Sequence, residues 1–221
     1  MAKLTLLLAA AIGVVATQST AQFKCPASTI SVIADPNFAP LICALASRGI
    51  AELSACSLPL SRALQIEIVE TLPHGCVGQY HCGQDRIELL SQEAARHYRG
   101  ADFPFSQIDP DVYFYSVLVH ELTHAALEDM PCRFTRCFAT QEYVAYAMQM
   151  RSLPAEARAT LLTRPEFNRA IDVYEINKMI VLMAPGVFLQ KAWWHFTQQD
   201  DPCGFIGQVV SGAVSFDREY P

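Results

Sequence analysis

The chain has 221 residues, of which 52% are hydrophobic and 17% are charged, and its formal net charge is −6. These values exclude an intrinsically disordered or fibrous chain and fit one globular domain of about 200 residues. Because the sequence has no run of Lys or Arg, it offers no footprint for a phosphate backbone, and we expect no nucleic-acid partner.

The N-terminus has the features of a secretory signal peptide over residues 1–21. Lys3 provides a short positive region, residues 4–15 are apolar, and Ala21 ends a run of small residues suited to cleavage. The apolar run is too short to cross about 30 Å of hydrocarbon as a helix. We therefore expect cleavage after Ala21, a secreted or periplasmic protein with no permanent membrane anchor, and a single mature domain over residues 22–221.

The cysteines of the mature chain indicate disulfide bonds. The sequence contains 8 cysteines, and an even number behind an export signal is typical of an oxidising compartment that removes free thiols. Four bridges can form, and short separations favour two local pairs, Cys76 with Cys82 and Cys132 with Cys137. A thiolate zinc cluster is the alternative, but the chain has no Cys-x-x-Cys pair to support it.

The first half of the mature chain predicts a small sheet. Apolar residues at mixed spacings of three and four predict a helix from Phe38 to Leu53. Alternation predicts a strand from Leu64 to Val69, and a second strand from Arg86 to Leu90 follows a stretch interrupted by Pro and Gly. Ser91 can cap a short helix that runs through His97.

The second half predicts mainly helices. Asp109 and Pro110 form a strong start signal for a long helix that ends near Glu128, and Thr140 is a suitable cap for a helix ending near Arg151. Further helices are predicted over residues 154–162, 166–183 and 186–198, while residues 204–214 are ambiguous. The fold class that follows is α+β, with a small antiparallel or mixed sheet followed by a mainly helical, disulfide-stapled region.

The motif that carries chemistry is His120-Glu121-Leu-Thr-His124, which lies inside the long predicted helix. Residues four apart in a helix are about 40° apart around the axis, so both imidazoles can reach one metal ion. Glu121 is rotated by about 100° and lies beside that ion rather than on it. The alternative is that both histidines are ordinary core or surface residues.

A third metal ligand is needed downstream. Catalytic zinc usually has three protein ligands and a water molecule in the fourth position. Met130 occupies the place where a metzincin has its third His, which excludes that group. Glu142, eighteen positions beyond His124 in the next helix, is the favoured ligand. Glu128 competes, but continuing the same helix carries it away from the ion.

This motif with a downstream Glu resembles the gluzincin group of zinc metallopeptidases, and the small exported bacterial HExxH proteins more than the thermolysin-like members. The resemblance covers roughly residues 64–150. It implies a zincin-like domain with one zinc ion per chain, held by His120, His124 and Glu142, where the Glu comes from a second helix packed behind the first. Tyr143 stands where thermolysin-like members have Asn.

The resemblance also implies peptide hydrolysis, with a peptide or protein as the substrate. Glu121 would accept a proton from the metal-bound water and return it to the leaving amine. A Tyr or His donor would support the oxyanion, and both Tyr146 and His195 are candidates. The strand from Arg86 to Leu90 would be the sheet edge that pairs with extended substrate.

Two other functions remain open at this point. One is a non-catalytic periplasmic binding or envelope-structural protein in which the metal is structural or absent. A structural site would be closed by four protein ligands, whereas a catalytic site leaves water beside Glu121. The other is a metal-dependent hydrolase that acts on a non-peptide amide.

Overall fold

The computed structural model describes residues 21–73, 76–98, 105–163, 167 and 169–218. The predicted signal peptide therefore lies outside the described residues except for Ala21. Within these ranges, no helix combines the length and the hydropathy that crossing a membrane requires.

In the described part of the chain, five strands form one mixed sheet. They are β1 (Ala21–Lys24), β2 (Ile30–Ala34), β3 (Leu64–Val69), β4 (Gly78–His81) and β5 (Arg86–Leu90). Their order is β1-β2-β3-β5-β4; β2, β3 and β5 are parallel, whereas the outer strands β1 and β4 are antiparallel to their neighbours. Both predicted strands are confirmed at their predicted bounds.

Helices follow the sheet, apart from one that crosses over between β2 and β3. They are α1 (Ala39–Ser54), α2 (Gln92–Tyr98), α3 (Pro110–Ala126), α4 (Phe138–Ser152), α5 (Ala155–Leu161), α6 (Lys178–Met183), α7 (Pro185–Thr197) and α8 (Pro202–Val210). The predicted α+β class, with a mixed sheet before a mainly helical region, is confirmed.

Prediction of one continuous helix over residues 166–183 is wrong where the structure describes it. From Arg169 to Asp172 the chain is irregular, a 3-10 turn follows at Val173–Glu175, and α6 begins only after Asn177. The side chains of Asp172 and Asn177 accept hydrogen bonds from the backbone N–H groups of Tyr174 and Ile180. Each therefore starts a new turn instead of continuing an old one.

The predicted substrate strand is also placed differently. β5 lies between β3 and β4, so both of its edges are already paired and it cannot accept an extended peptide. The true edge on this side of the sheet is β4, whose residues the sequence indicated only as an interrupted stretch.

Three disulfides connect the described residues, and one of the two predicted pairs is among them. Cys132–Cys137 is confirmed, and Cys25–Cys43 and Cys56–Cys203 are the others. Pairing of Cys76 with Cys82 is wrong, because both thiols are free. They flank β4, whose extended backbone alone separates its ends by about 10 Å, whereas a disulfide needs Cα atoms within about 7 Å.

The helix that carries the motif lies at the centre of the hydrophobic core. Leu118 and Leu122 of α3 are fully buried, and α3 packs against α1, α4 and β4. Helix α4 in turn packs against α7. A helix surrounded in this way has little freedom to rotate, so the side chains that it carries are held in defined directions.

Candidate functional site

Two histidines from α3 meet at one point. The helix begins after Asp109, whose carboxylate accepts the N–H groups of Asp111 and Val112, as predicted from the start signal. It remains regular through His120 and His124, which therefore lie one turn apart. Their Nε2 atoms are 3.1 Å apart.

Glu142 from α4 completes this group. Its two carboxylate oxygens lie 3.6 Å from Nε2 of His120 and 3.5 Å from Nε2 of His124. One ligand atom from each residue lies within 4.8 Å of the other two. Tetrahedral ligands bound at 2.0–2.1 Å are about 3.3–3.4 Å apart, so these spacings fit a zinc-sized ion.

Burial sets the charge of the three ligands. It lowers the pKa of His124 to about 4 and, together with the neighbouring imidazole, holds the pKa of His120 well below its usual value. Both imidazoles are therefore neutral near pH 7, which is the form that binds metal. Burial raises the pKa of Glu142 to about 7. A divalent cation would reverse this last shift because it favours the carboxylate form.

Gln149 orients one of the ligands. Its side-chain oxygen lies 3.1 Å from Nδ1 of His120, and its nitrogen donates to the hydroxyl of Ser116 at 3.3 Å. With Nδ1 as the donor to Gln149, the lone pair of His120 is on Nε2, the ring nitrogen that lies 3.6 Å from Glu142. Gln149 was missed in the sequence, although it follows Glu142 by seven positions and so shares its helix face.

Glu121 lies beside the ligands rather than among them. The residue is 6% exposed, and its Oε2 accepts the backbone N–H of Tyr80 at 2.8 Å. Burial, followed by the negative charge of Glu142, raises the pKa of Glu121 to about 8, and the Tyr80 N–H opposes that rise. A carboxyl group with a pKa near neutrality can both accept and return a proton.

Of the two predicted oxyanion donors, the structure brings Tyr146 to the site and leaves His195 behind α4. The ring of Tyr146 packs edge-on against His120 with centroids 4.9 Å apart. Nδ1 of His195 instead lies 2.9 Å from the hydroxyl of Tyr143, and its ring packs against Phe205. His195 therefore joins α7 to α4 and has no contact with the ligands in the described structure.

The competing ligand Glu128 is also outside the group. Its Oε1 accepts the backbone N–H of Gly83 at 2.9 Å. As expected, this carboxylate is not part of the ligand group, although α3 ends at Ala126 and Glu128 lies in the turn that follows rather than in a further turn of the helix.

One cavity of about 620 Å³ joins these groups. Its lining includes His120, Glu121, His124, Glu142 and Tyr146. Two imidazoles and one carboxylate would hold a metal ion in the same cavity that the Glu121 carboxyl lines. The residues present thus fit a three-ligand metal site, which is the arrangement that leaves room for a water molecule.

Comparison with known proteins places the chain in a family but assigns it no activity. No curated protein and no solved structure matches it. A family model, described as Family of unknown function (DUF6639), matches residues 30–219 and so includes every residue of the candidate site. Since that match extends over most of the sequence, the chain belongs to this family of unknown function.

Proposed function

We propose that the protein is an exported zinc-dependent peptidase in which Glu121 is the general base. The observation that carries the proposal is the convergence of His120, His124 and Glu142 on one point, with the Glu121 carboxyl in the same cavity. Bound zinc would lower the pKa of its water to about 7 and polarise a substrate carbonyl.

The chain's own residues supply the proton transfers. Glu121 accepts the proton of the attacking water and returns it to the leaving amine. Tyr146 lines the same cavity and is the proposed hydroxyl donor to the developing oxyanion. Burial raises the pKa of the Tyr146 hydroxyl, so it keeps its proton and can donate it in a hydrogen bond.

The ligand count favours catalysis over a structural metal site. In the described ranges, the group contains three ligands, whereas structural zinc sites are closed by four. Three disulfides are consistent with export, since such bonds persist in extracytoplasmic compartments.

The test compares metal content with cleavage in the mature chain. Zinc-loaded wild type should hold one zinc per chain and cleave unfolded casein. Glu121→Gln should keep the zinc and lose cleavage by about 10²–10⁴-fold, because only the proton acceptor has been removed.

Glu93→Gln is the matched control, since Glu93 is exposed on α2, and it should change neither quantity. Wild type that binds no zinc after loading would contradict the site. Wild type that binds zinc but cleaves no peptide would contradict the peptidase, and assays on non-peptide amides would then follow.

A further inference from the structure

The outer edge of β4 faces helix α3. Along its other edge β4 is paired with β5, and no further strand covers it in the described part of the chain. Its Tyr80 N–H donates to Oε2 of Glu121 at 2.8 Å in a buried contact. Outward N–H groups of edge strands usually bind water or another strand, whereas this one binds the carboxyl group beside the metal ligands.

Gly78 permits this close approach. A Cβ atom at Gly78 would lie 2.9 Å from Oε1 and 2.9 Å from Cγ of Glu121, and 2.8 Å from Cγ1 of Val117. These distances are shorter than non-bonded atoms tolerate, so any side chain at position 78 would displace Glu121 or lift the strand from the helix. Glycine is the residue that lets a backbone come this near.

The turn after β4 is hydrogen-bonded to the turn that follows α3. The N–H of Gly83 donates to Glu128 at 2.9 Å, and Glu128 lies in the turn that follows the end of α3 at Ala126. The guanidinium of Arg62 donates to Asp85 at 2.6 Å at the end of that turn. Strand β4 is therefore bonded to α3 at Glu121, and the turn after β4 is bonded to the turn after α3 at Glu128. These two bonds restrict the movement of β4 relative to Glu121.

We propose that β4 is the positioning element of the general base, with the Tyr80 N–H holding Oε2 of Glu121 and Gly78 leaving space for Oε1 to accept the proton. The inference rests on the proposed function, because it assigns positioning residues to that reaction. Oε1 accepts no hydrogen bond from the described residues, which leaves it available to a water molecule in the cavity.

A simpler explanation is that Gly78 only serves the packing of β4 on α3. Val117 separates the two explanations, because a Cβ at Gly78 would collide with Val117 as well as with Glu121. Shortening Val117 removes the first collision and leaves the second. A second substitution, Val117→Ala, should therefore restore packing without restoring the position of the carboxyl group.

The experiment uses the full mature chain with Gly78→Ala, alone and combined with Val117→Ala. Gly78→Ala should keep one zinc per chain and lose roughly 10- to 100-fold in kcat, as a base displaced by about 1 Å would, with KM within about twofold. The double variant should regain thermal stability but not kcat. Gly207→Ala is the matched control, since its Cβ would meet Ser57 at an ordinary 3.5 Å.

A second readout does not depend on activity. In backbone amide NMR spectra, Gly78→Ala and Glu121→Gln should each shift the Tyr80 amide proton, while the Gly83 amide, bonded to Glu128, should stay in place. If Gly78→Ala alone does not fold, kcat and the Tyr80 amide shift are measured on the double variant instead.

An unchanged kcat, or a kcat that Val117→Ala restores together with stability, would overturn the inference. If wild type cleaves no peptide, the proposed function fails, and the amide spectra alone then decide. Movement of the Tyr80 amide would uphold the link from β4 to Glu121, and a stationary amide would refute it.

Discussion

Gln149 sets the orientation of His120, a candidate metal ligand, from outside the ligand group. It is 4% exposed and bonds both Nδ1 of His120 and the hydroxyl of Ser116. A neutral imidazole has one donor and one acceptor nitrogen. The Gln149 oxygen accepts from Nδ1, so the proton stays on Nδ1 and the lone pair stays on Nε2. This partner presents the Nε2 lone pair of His120 to the candidate metal position.

Gln149→Leu should lower zinc affinity by about 10- to 100-fold, which is the usual cost of losing the partner of a ligating histidine. The three ligands remain, so the loaded variant should still hold one zinc. Competition with a chelator measures the affinity. Gln208→Leu, at an exposed position of α8, should leave it unchanged. Equal affinities for Gln149→Leu and wild type would refute the role of Gln149.

At the scale of elements, the start of α4 depends on a segment near the end of the chain. Thr140 was predicted as the N-cap, but the helix begins two residues earlier and Cys137 provides no side-chain cap. Asp217 instead accepts the N–H groups of Ala139 and Thr140 at 3.0 and 2.9 Å, and the Thr140 hydroxyl at 2.7 Å. A carboxylate at a helix N-terminus accepts hydrogen bonds from backbone N–H groups that have no partner within the helix. Its negative charge also interacts favourably with the positive end of the helix dipole.

Asp217→Ala should lower the free energy of unfolding by about 1–2 kcal/mol, as the loss of a helix cap does. Glu142 lies in the first turn and a half of α4, so a frayed start should also weaken zinc binding. Urea unfolding of the zinc-free chain measures the first effect. Asp200→Ala serves as the control, since Asp200 is exposed beyond α7. If the two variants unfold alike, Asp217 is not the cap of α4.

For the molecule as a whole, disulfides and the buried site act on stability in different ways. Cys56–Cys203 joins the end of α1 to α8 across 147 positions of sequence. In the chain-entropy account, closing so long a loop destabilises the unfolded state by up to about 5 kcal/mol. The site lowers the stability of the folded state, because it buries the carboxyl groups of Glu121 and Glu142 close to each other.

Without metal, the protein should therefore lose stability as the pH rises from 6.5 to 8. Burial raises the pKa of Glu142 to about 7 and that of Glu121 to about 8 from an ordinary 4.5, so the folded chain holds protons that the unfolded chain has released. His120 and His124 have lowered pKa values and act oppositely, but below about pH 6.5, where the unfolded chain binds protons.

Thermal unfolding at several pH values checks this expectation. The metal-free Tm should fall from pH 6.5 to 8, and the gap between metal-free and zinc-loaded protein should widen. Replacing Glu121 and Glu142 together by Gln should flatten the metal-free curve over this range. A metal-free Tm that stays constant or rises across it would contradict the assigned direction.

Local sequence determined several of the elements and the core of the candidate site. Alternation predicted β3, and the turn signals before Arg86 indicated β5, both at their observed bounds. The Asp-Pro start signal predicted the beginning of α3. Inside a regular helix, the spacing of His120 and His124 leaves little choice about where their side chains point. Glu142 was predicted from the need for a third ligand downstream, from its place near the start of the following helix and from the family resemblance.

Tertiary structure decided everything that depends on residues distant in the sequence. Long-range packing determines which cysteines pair and makes β4 rather than β5 the sheet edge. It also brings Asp217 to the start of α4. Helical and strand periods report which face of an element is buried, but they do not specify the partner that covers it. For that reason the motif could be recognised in the sequence, while the contacts that hold Glu121 and His120 in position appear only in the folded chain.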